Sequence, residues 1–419
     1  LSLMSLKLRS KNDWGRLDMT SEWNHFALGE ITELVIDYRG KTPKKLGGDW
    51  CKQGYRALSA KNIKTGRIVQ AETIRYIDES LYRKWMKDEV QRGDILITSE
   101  APFGQIFFWD SDEKIVLSQR LFCVRIKPEY DARFIYYYMT TPEFQSELDG
   151  RATGTTVIGL RQPELMKCVI RCPEIQEQKV IAAILSSIDA KIIANEKVND
   201  NLEQQAQSYF QELFVDNADP EWTTGTISDL GTVVGGSTPS KAKPEYYTES
   251  GIAWITPKDL SNNKSKFVSH GENDITELGL RNSSASIMPE GTVLFSSRAP
   301  IGYIAIAAGE VTTNQGFKSV VPKPEIGTPF VYFFLKNTLP VIEGMASGST
   351  FKEVSGSTMK NVPAVIPDAE TLAKFSDFCA PIFAQQRILE EQNQSLATLR
   401  DNLLPKLMSG EIDVSAVQL

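Results

Sequence analysis

The sequence predicts an α+β protein in which two similar globular domains alternate with two long helices. Three observations predict this fold class. Motifs of the first half recur in the second half at offsets of 194 to 198 residues. Each half contains short apolar runs between Gly, Pro and Asp, which is typical of strands. Each half then ends in about 40 residues whose apolar positions are spaced three and four apart, which predicts a helix.

The internal repeat is clearest around one turn-and-strand motif, in which residues 90–104 match residues 288–302. In this motif Gly93, Pro102 and Gly104 recur 198 positions later as Gly291, Pro300 and Gly302. Further along, Gln119 recurs as Gln315, Gly154 as Gly348 and Pro173 as Pro367. Near the start of each half, residues 39–43 echo residues 235–239. A period of about 196 is far too long for a solenoid repeat, so a tandem domain duplication is indicated.

Inside each copy the predicted elements follow the same order, with strands first and a short helix after them. The strand signals are residues 94–98, 105–109 and 115–126 in the first copy, and residues 292–296 and 303–307 in the second. Residues 132–140 carry a row of apolar and aromatic side chains that predicts a helix. A mixed α/β domain with small sheets fits this pattern.

The long helices follow each globular part. Residues 174–214 contain neither Pro nor Gly, and their apolar stripe has Asn195 and Asn199 within it. At 1.5 Å per residue such a helix is about 60 Å long, so its natural partner is a helix of equal length. The second copy supplies one, which predicts an antiparallel coiled coil and an internal pseudo-two-fold repeat. Such a chain could carry two recognition surfaces, or it could be a structural rod.

The predicted domains are an N-terminal leader (1–22), a first globular domain (23–173), a first long helix (174–214), a second globular domain (215–367), a second long helix (368–409) and a C-terminal tail (410–419).

The composition is that of an ordinary globular protein, with 41% hydrophobic and 24% charged residues. No run of 18 apolar residues predicts a transmembrane helix. The five cysteines form no Cys-x-x-Cys pair, which favours reduced thiols and a cytoplasmic location over a disulfide scaffold or a zinc site.

The net charge of −7 hides an uneven distribution. Residues 1–173 hold 27 basic and 23 acidic side chains, a balance of +4. Within them, residues 39–67 hold nine cations against Asp49 alone, with Tyr38, Trp50 and Tyr55 interleaved. A basic segment of this kind attracts a polyanion, and the alternative is a solvated loop.

The sequence offers little for catalysis. The two histidines, His25 and His270, stand at positions that do not correspond in the two copies. We find no phosphate-binding loop, no nucleophile elbow and no amino-methyltransferase motif. We therefore expect a binding protein without a cofactor or metal of its own.

In the order of its motifs the chain resembles the specificity subunit of type I restriction–modification systems, from Trp23 to about Val414. The resemblance is carried by residues 99–104 with 297–302, 118–119 with 314–315, 154–156 with 348–350, the helix openings 173–179 and 367–373, and the tail 403–410. The second helix opening departs from the first, because it lacks the Gln-x-x-Ile/Val core.

The resemblance implies a non-catalytic subunit whose two target-recognition domains each read one half of a split, asymmetric DNA sequence. It also implies that the helices set the unread gap and dock two modification subunits, which carry adenine methyltransferase activity and S-adenosylmethionine. Restriction subunits would add the nuclease and the translocase, with ATP and Mg on those partners. The alternative is a coiled-coil scaffold that binds only proteins.

Basic side chains are expected to contact phosphates, while Arg, Asn and Gln read base edges. The candidate DNA-binding residues of the first domain are Arg39, Lys41, Lys44, Lys45, Lys61, Lys64, Gln105, Gln119, Arg120 and Thr156. Those of the second domain are Lys258, Arg298, Asn314, Gln315, Lys318 and Lys352. Gln119 and Gln315 recur in copies that should read different bases, which favours a structural role for them.

Overall fold

The structure is a computed structural model that describes residues 23–154, 158–298, 300–348 and 352–417. The chain forms two compact units. The first contains the described residues up to Asp189 together with those from Ala397 onward, and the second runs from Ala190 to Leu396. Each unit therefore combines one globular domain with a part of both long helices.

The first unit is a mixed α/β domain. Its strands are β1 (Asn24–Ala27), β2 (Thr32–Asp37), β3 (Tyr55–Leu58), β4 (Ile63–Lys64), β5 (Arg67–Ile68), β6 (Arg75–Ile77), β7 (Ile95–Thr98), β8 (Ile106–Phe108), β9 (Val116–Leu117), β10 (Leu121–Ile126) and β11 (Val169–Cys172). Its short helices are α1 (Leu28–Ile31), α2 (Glu79–Trp85), α3 (Ala132–Met139), α4 (Pro142–Arg151) and α5 (Gln162–Leu165). The sheets have the orders β2-β10-β7-β8, β6-β3-β9, β1-β11 and β4-β5.

The long helix α6 (Ile175–Gln211) runs into one π-helical turn and leads to the second domain. The strands of that domain are β12 (Thr223–Thr226), β13 (Gly231–Gly235), β14 (Tyr247–Thr248), β15 (Trp254–Ile255), β16 (Phe267–Val268), β17 (Asp274–Ile275), β18 (Val293–Ser297), β19 (Ile301–Ala307), β20 (Thr312–Thr313), β21 (Lys318–Pro322) and β22 (Pro363–Ile366). The helices are α7 (Ile227–Leu230), α8 (Pro257–Asn262), α9 (Glu277–Arg281), α10 (Thr328–Met345), α11 (Gly356–Lys360) and the long α12 (Ala369–Met408). The sheets have the orders β13-β21-β18-β19-β16, β15-β20, β14-β17 and β12-β22.

The helix starts follow directly from the sequence. Asp78, Asp131 and Thr141 each stand just before a helix and accept a hydrogen bond from a backbone N–H of its first turn. Such caps satisfy donors that no helical partner reaches. α4 also has Pro142 in its first turn, where the missing N–H costs nothing.

The duplication is visible strand by strand, and it confirms the predicted fold class. In the first unit Ala57 and Leu58 of β3 pair in parallel with Val116 and Leu117 of β9. In the second, Trp254 and Ile255 of β15 pair in parallel with Thr312 and Thr313 of β20. The recurring glycines of the motif are left-handed in both copies, at Gly93, Gly104, Gly291 and Gly302. A backbone with positive φ explains why glycine recurs at these four places.

One sequence expectation is corrected in detail. Residues 115–126 do not form one strand, because Arg120 has a φ of 66° and separates β9 from β10. The second long helix ends at Met408, within one residue of its expected end at 409, although it contains Pro405 in its last turn. Pro lacks an N–H to donate, but a helix tolerates this near its end when packing holds the last turn, and Leu407 and Met408 are buried in the core of the first unit.

The two long helices run antiparallel within each unit. In the second unit Asn195 of α6 donates to Asn393 of α12 at 2.8 Å, and the backbone oxygen of Asn199 accepts from Gln386 at 3.2 Å. In the first unit Arg400 of α12 donates to Asp189 of α6 at 2.9 Å. These pairs confirm the predicted coiled coil with polar side chains in its seam, where they fix the register of the helices.

A buried charge cluster ties the second domain to the helices of its own unit. The Glu203 carboxylate of α6 accepts from Lys266 Nζ at 2.7 Å and from Lys336. The Lys266 side chain is only 6% exposed, and its Nζ lies 3.6 Å from the centre of the Phe383 ring. Burial lowers the pKa of Lys266 to about 8 despite the neighbouring carboxylate. Burial acts to raise the pKa of Glu203, but the two lysines prevail and hold it below its ordinary value.

This cluster predicts that the contribution of Lys266 to the stability of the second unit increases as the pH rises from about 8 to about 10. The folded-state pKa of Lys266 lies near 8 and the unfolded one near 10.5, so in this window the unfolded state binds more protons at this site. Burial raises the pKa of the Cys379 thiol to about 12, which acts in the opposite direction over the same window, so the contribution of Lys266 must be taken as a difference between two variants. From pH 8 to pH 10 we expect the free energy of unfolding of the wild type to gain about 1–2 kcal/mol relative to Lys266→Met, as measured by denaturant titrations. An equal change in the two proteins contradicts the assignment.

Candidate nucleic-acid interface

The first domain has a concave cavity of 670 Å³ that is lined in part by residues of the basic segment 39–67. One side is the loop after β2, with Lys41, Thr42 and Lys44, and the 3₁₀ turn Lys44–Leu46 ends at Gly47 with a φ of 78°. The opposite side is formed by the segment after β9, with Gln119 and Arg120. Five of the predicted residues thus line one cavity: Lys41, Lys44, Lys61, Gln119 and Arg120.

The floor of the cavity is the end of β3 and the turn that follows it. Ser59 Oγ donates to Asn62 Oδ1 at 2.8 Å, and Asn62 in turn donates to Thr73 Oγ1 at 3.0 Å. Asn62 is buried, so these bonds satisfy its amide and make the floor rigid. Ser118 and Gln119 line the same space, and their side chains have no hydrogen-bond partner among the described residues.

Aromatic rings form another wall. The Trp50 ring lies 6.3 Å from the buried Trp85 ring, and the Arg75 guanidinium lies 4.8 Å from the Trp50 ring centre. Lys41 Nζ lies 3.7 Å from the Tyr38 ring centre and also donates to the Trp85 carbonyl. Burial lowers the pKa of Lys41, and the nearby Lys87 adds to this.

Among the described residues, four of the cations that line the cavity, Lys41, Lys44, Lys61 and Arg75, have no carboxylate partner, and Asp49 is the one acid in the lining. Between residues 41 and 75, eight basic side chains have no carboxylate oxygen within 4.0 Å in the described part of the chain. They are Lys41, Lys44, Lys45, Lys52, Lys61, Lys64, Arg67 and Arg75. Most other arginines of this domain are paired, for example Arg125 with Asp94 at 2.8 Å. Uncompensated cations around a concavity create a positive potential that attracts phosphates.

Three predicted residues of the first domain are placed differently from the rest. Arg39 is held by Asp37 at 2.8 Å and lies over the Phe122 ring, so its charge is compensated. Arg120 lines the cavity but pairs with Glu100 at 3.0 Å. Gln105 does not line it, because its side-chain oxygen accepts from the Thr65 backbone N–H at 3.0 Å.

The remaining predicted residues of this domain are Lys45, Lys61, Lys64 and Thr156. Lys45 and Lys64 are exposed outside the cavity wall, whereas Lys61 lines it. Thr156 lies outside the described residues.

In the second domain the predicted residues are more strongly engaged by the protein itself. Lys258 pairs with Glu272 at 2.6 Å, and Arg298 with Glu353 at 3.5 Å. Gln315 accepts from Thr238. These contacts leave less free positive charge than in the first domain.

The other three candidates of the second domain are Asn314, Lys318 and Lys352, and only the last is an exposed side chain without a hydrogen bond among the described residues. Asn314 Oδ1 accepts from the Gly316 backbone N–H at 2.8 Å, which is a structural turn bond. Lys318 Nζ donates to the Phe317 carbonyl at 3.2 Å, and burial lowers its pKa. Lys352 is exposed.

The backbone beside Asn314 is closely packed against Gly236. A Cβ at position 236 would lie 2.0 Å from the backbone oxygen of Asn314, which explains why a glycine stands there.

Sequence reasoning missed Arg75. It lies outside the basic segment 39–67 and reaches the cavity only because β6 pairs with β3, which places Arg75 opposite Ala57. Nothing in the local sequence signals this pairing, because β3 and β6 are separated by a hairpin and two 3₁₀ turns.

The described residues contain no group of three or more His, Cys, Asp or Glu side chains that could hold a metal ion. In the same part of the chain, no helix is long and apolar enough to cross a membrane.

The comparison with known families is decisive. The family of the type I restriction modification DNA specificity domain matches the chain twice, over residues 20–204 and 220–399. The chain belongs to this family. The two matches coincide with the two copies of the repeat, and the prediction of a specificity subunit rather than an enzyme is confirmed. A specificity domain of this family implies no cofactor of its own.

Individual relatives agree with the family. Over 194 residues this type I specificity protein is 39% identical to the MjaIX specificity subunit of Methanocaldococcus jannaschii, and the match covers 44% of the chain and 45% of that relative. It is 23% identical over 408 residues to the HindI specificity subunit of Haemophilus influenzae, covering 78% of the chain and 88% of that relative. The chain thus spans about half of the first relative and most of the second.

The fold has a solved counterpart. The S subunit of a type I restriction–modification system from M. genitalium matches with a TM-score of 0.58 at 18% identity, covering 94% of this chain and 97% of that one. This likeness shows that the specificity-subunit fold is shared.

Proposed function

We propose that this chain selects the DNA target of a type I restriction–modification complex. Each globular domain contacts one half of a split, asymmetric duplex sequence. The observation that carries the proposal is the cavity of the first domain, where cations without carboxylate partners surround the unpaired side chains of Ser118 and Gln119. Cations hold the phosphates in register, and polar side chains read bases.

The partners follow from the family. We propose that two modification subunits dock on the long helices and bring adenine methyltransferase activity with S-adenosylmethionine. Restriction subunits join through the same complex, with ATP and Mg on those subunits. We place the assembly in the cytoplasm, where duplex DNA lies in the prokaryotes that encode the relatives.

The direct test is binding of the chain, together with its modification subunits, to duplex DNA at several salt concentrations. We expect affinity to fall steeply with salt, because phosphate contacts release counterions. Methylome sequencing of a host that expresses the complex then gives the target, which we expect to be two short half-sites separated by a gap. A complex that binds DNA no better with this chain than without it, and that shows no sequence preference, supports the scaffold alternative and overturns the proposal.

The helix pair gives a second test, because we propose that its length sets the gap. The test inserts seven residues into α6 after Ile192, and seven into α12 after Leu396, so that the antiparallel register is kept. Seven residues are almost two full turns and add about 10 Å, equal to about three base pairs of DNA. We expect the methylated half-sites to lie about three base pairs further apart. An unchanged gap rules out the spacer role.

A further inference from the structure

At the place in the second domain that corresponds to this cavity, a large side chain stands where the first domain has a small one. Ala57 lines the cavity, and β3 places it opposite Val116. Trp254 takes the same position in the repeat, opposite Thr312. One copy therefore has a methyl group where the other has an indole.

The indole of the second domain occupies the space between the strand and the facing loop. Trp254 is 6% exposed, and its Nε1 donates to the Ser237 carbonyl at 3.0 Å. Ser237 corresponds to Lys41, which lines the cavity of the first domain. The first domain therefore has an open cavity at the position where the second domain accommodates an indole ring.

The size of the cavity limits its occupant. A volume of 670 Å³ lies in the range of pockets that bind small molecules and cofactors. A duplex can lie across the mouth of the cavity but cannot enter it, since its major groove alone is about 12 Å wide. One nucleotide is small enough to do so.

The chemistry of the walls matches that nucleotide. The Arg75 guanidinium covers the Trp50 ring at 4.8 Å from its centre, so a base that enters the cavity stacks on the Arg75 plane or takes its place on the Trp50 ring. Ser118 and Gln119 can bond to a base edge, while Lys44 and Lys61 at the walls attract its phosphate. Stacking surface, polar edge groups and cations thus converge on one space.

We propose that the cavity takes a single nucleotide of the target whose base has left the duplex stack. The inference rests on the proposed function. It implies that the two recognition domains contact their half-sites differently, because Trp254 fills the equivalent space in the second domain. Unstacking and unpairing a base costs free energy, and a base that is already mispaired costs least.

The test scans the methylome-defined duplex with one mismatch at a time, bound to the complete complex. We expect one position in the half-site of the first domain, other than the adenine that the modification subunits methylate, at which a mismatch tightens binding several-fold. Ala57→Trp, which copies the residue of the second domain, should abolish this gain and weaken binding of the matched duplex about tenfold. Ala71→Trp, at an exposed alanine of the same domain, is the matched control and should change neither.

A second variant covers the case in which Ala57→Trp does not fold, as judged by its thermal unfolding. Trp50→Ala removes the half-buried stacking ring and should also abolish the gain. If every mismatch weakens binding, or if the gain persists in both variants, the cavity holds no extruded base and the inference is overturned. A wild-type complex without salt-dependent DNA binding would instead refute the proposed function itself.

Discussion

Replacing Glu203 with glutamine is expected to lower the free energy of unfolding of the second unit by about 3 kcal/mol. The carboxylate is the shared partner of Lys266 and Lys336, and it also accepts from the Tyr332 hydroxyl at 3.2 Å. Without it, Lys266 is a buried amine with no carboxylate partner beside the Lys336 ammonium, so it must either stay charged without compensation or give up its proton. Removing one partner of a buried pair costs more than the pair contributes, because the other charge loses its compensation.

The control is Glu196→Gln, which makes the same chemical change on the same helix. Glu196 is exposed and has no ion pair among the described residues, so its replacement should cost less than about 0.5 kcal/mol. Denaturant unfolding of the full chain gives both values. A Glu203→Gln variant as stable as the control would show that the cluster does not hold the domain to the helices.

A double variant separates charge compensation from packing. Glu203→Leu combined with Lys266→Met replaces the buried pair with apolar groups of similar volume, which often costs little. We expect this double variant to be more stable than Glu203→Gln, because no buried ammonium is left without a partner at position 266. The opposite order would indicate that the shape of the cluster matters more than its charge.

The repeat and its elements could be predicted because they depend on local chemistry. Gly93 and Gly291 recur since both adopt a positive φ, and the helix seam around Asn195 follows from spacing alone. Strand ends moved by one or two residues. For example, residues 105–109 became the shorter β8.

The compensation of charge could not be predicted, because it depends on distant parts of the chain. The sequence of segment 39–67 contains one acid, Asp49, which predicts cations that are nearly free of partners. In the structure Glu113 binds Arg56 from 57 positions away, and Asp37 binds Arg39 from just outside the segment. The cavity itself depends on Ala57, whose small size matters only once the strands are paired.

Replacing Lys44, Lys45 and Lys61 together with glutamine is expected to weaken DNA binding by the complex on the order of 100-fold near 0.1 M salt. All three side chains are exposed and lack a carboxylate partner among the described residues, so their loss should not affect folding. If each contacts one phosphate, the slope of log affinity against log salt should become smaller by about 2.7. Sequence preference should stay the same, because phosphate contacts position the duplex without reading it.

The matched control replaces Lys84, Lys87 and Arg161, three exposed basic residues of the same domain that also lack a carboxylate partner among the described residues and do not line the cavity. It removes the same total charge, so it separates a local phosphate contact from the general field of the protein. We expect the control to retain most of the affinity and nearly the full salt slope. Equal losses in the two triple variants would mean that the cavity is not where the duplex backbone is held. A changed methylation sequence in the first variant would mean that these lysines read bases, since only base contacts alter preference.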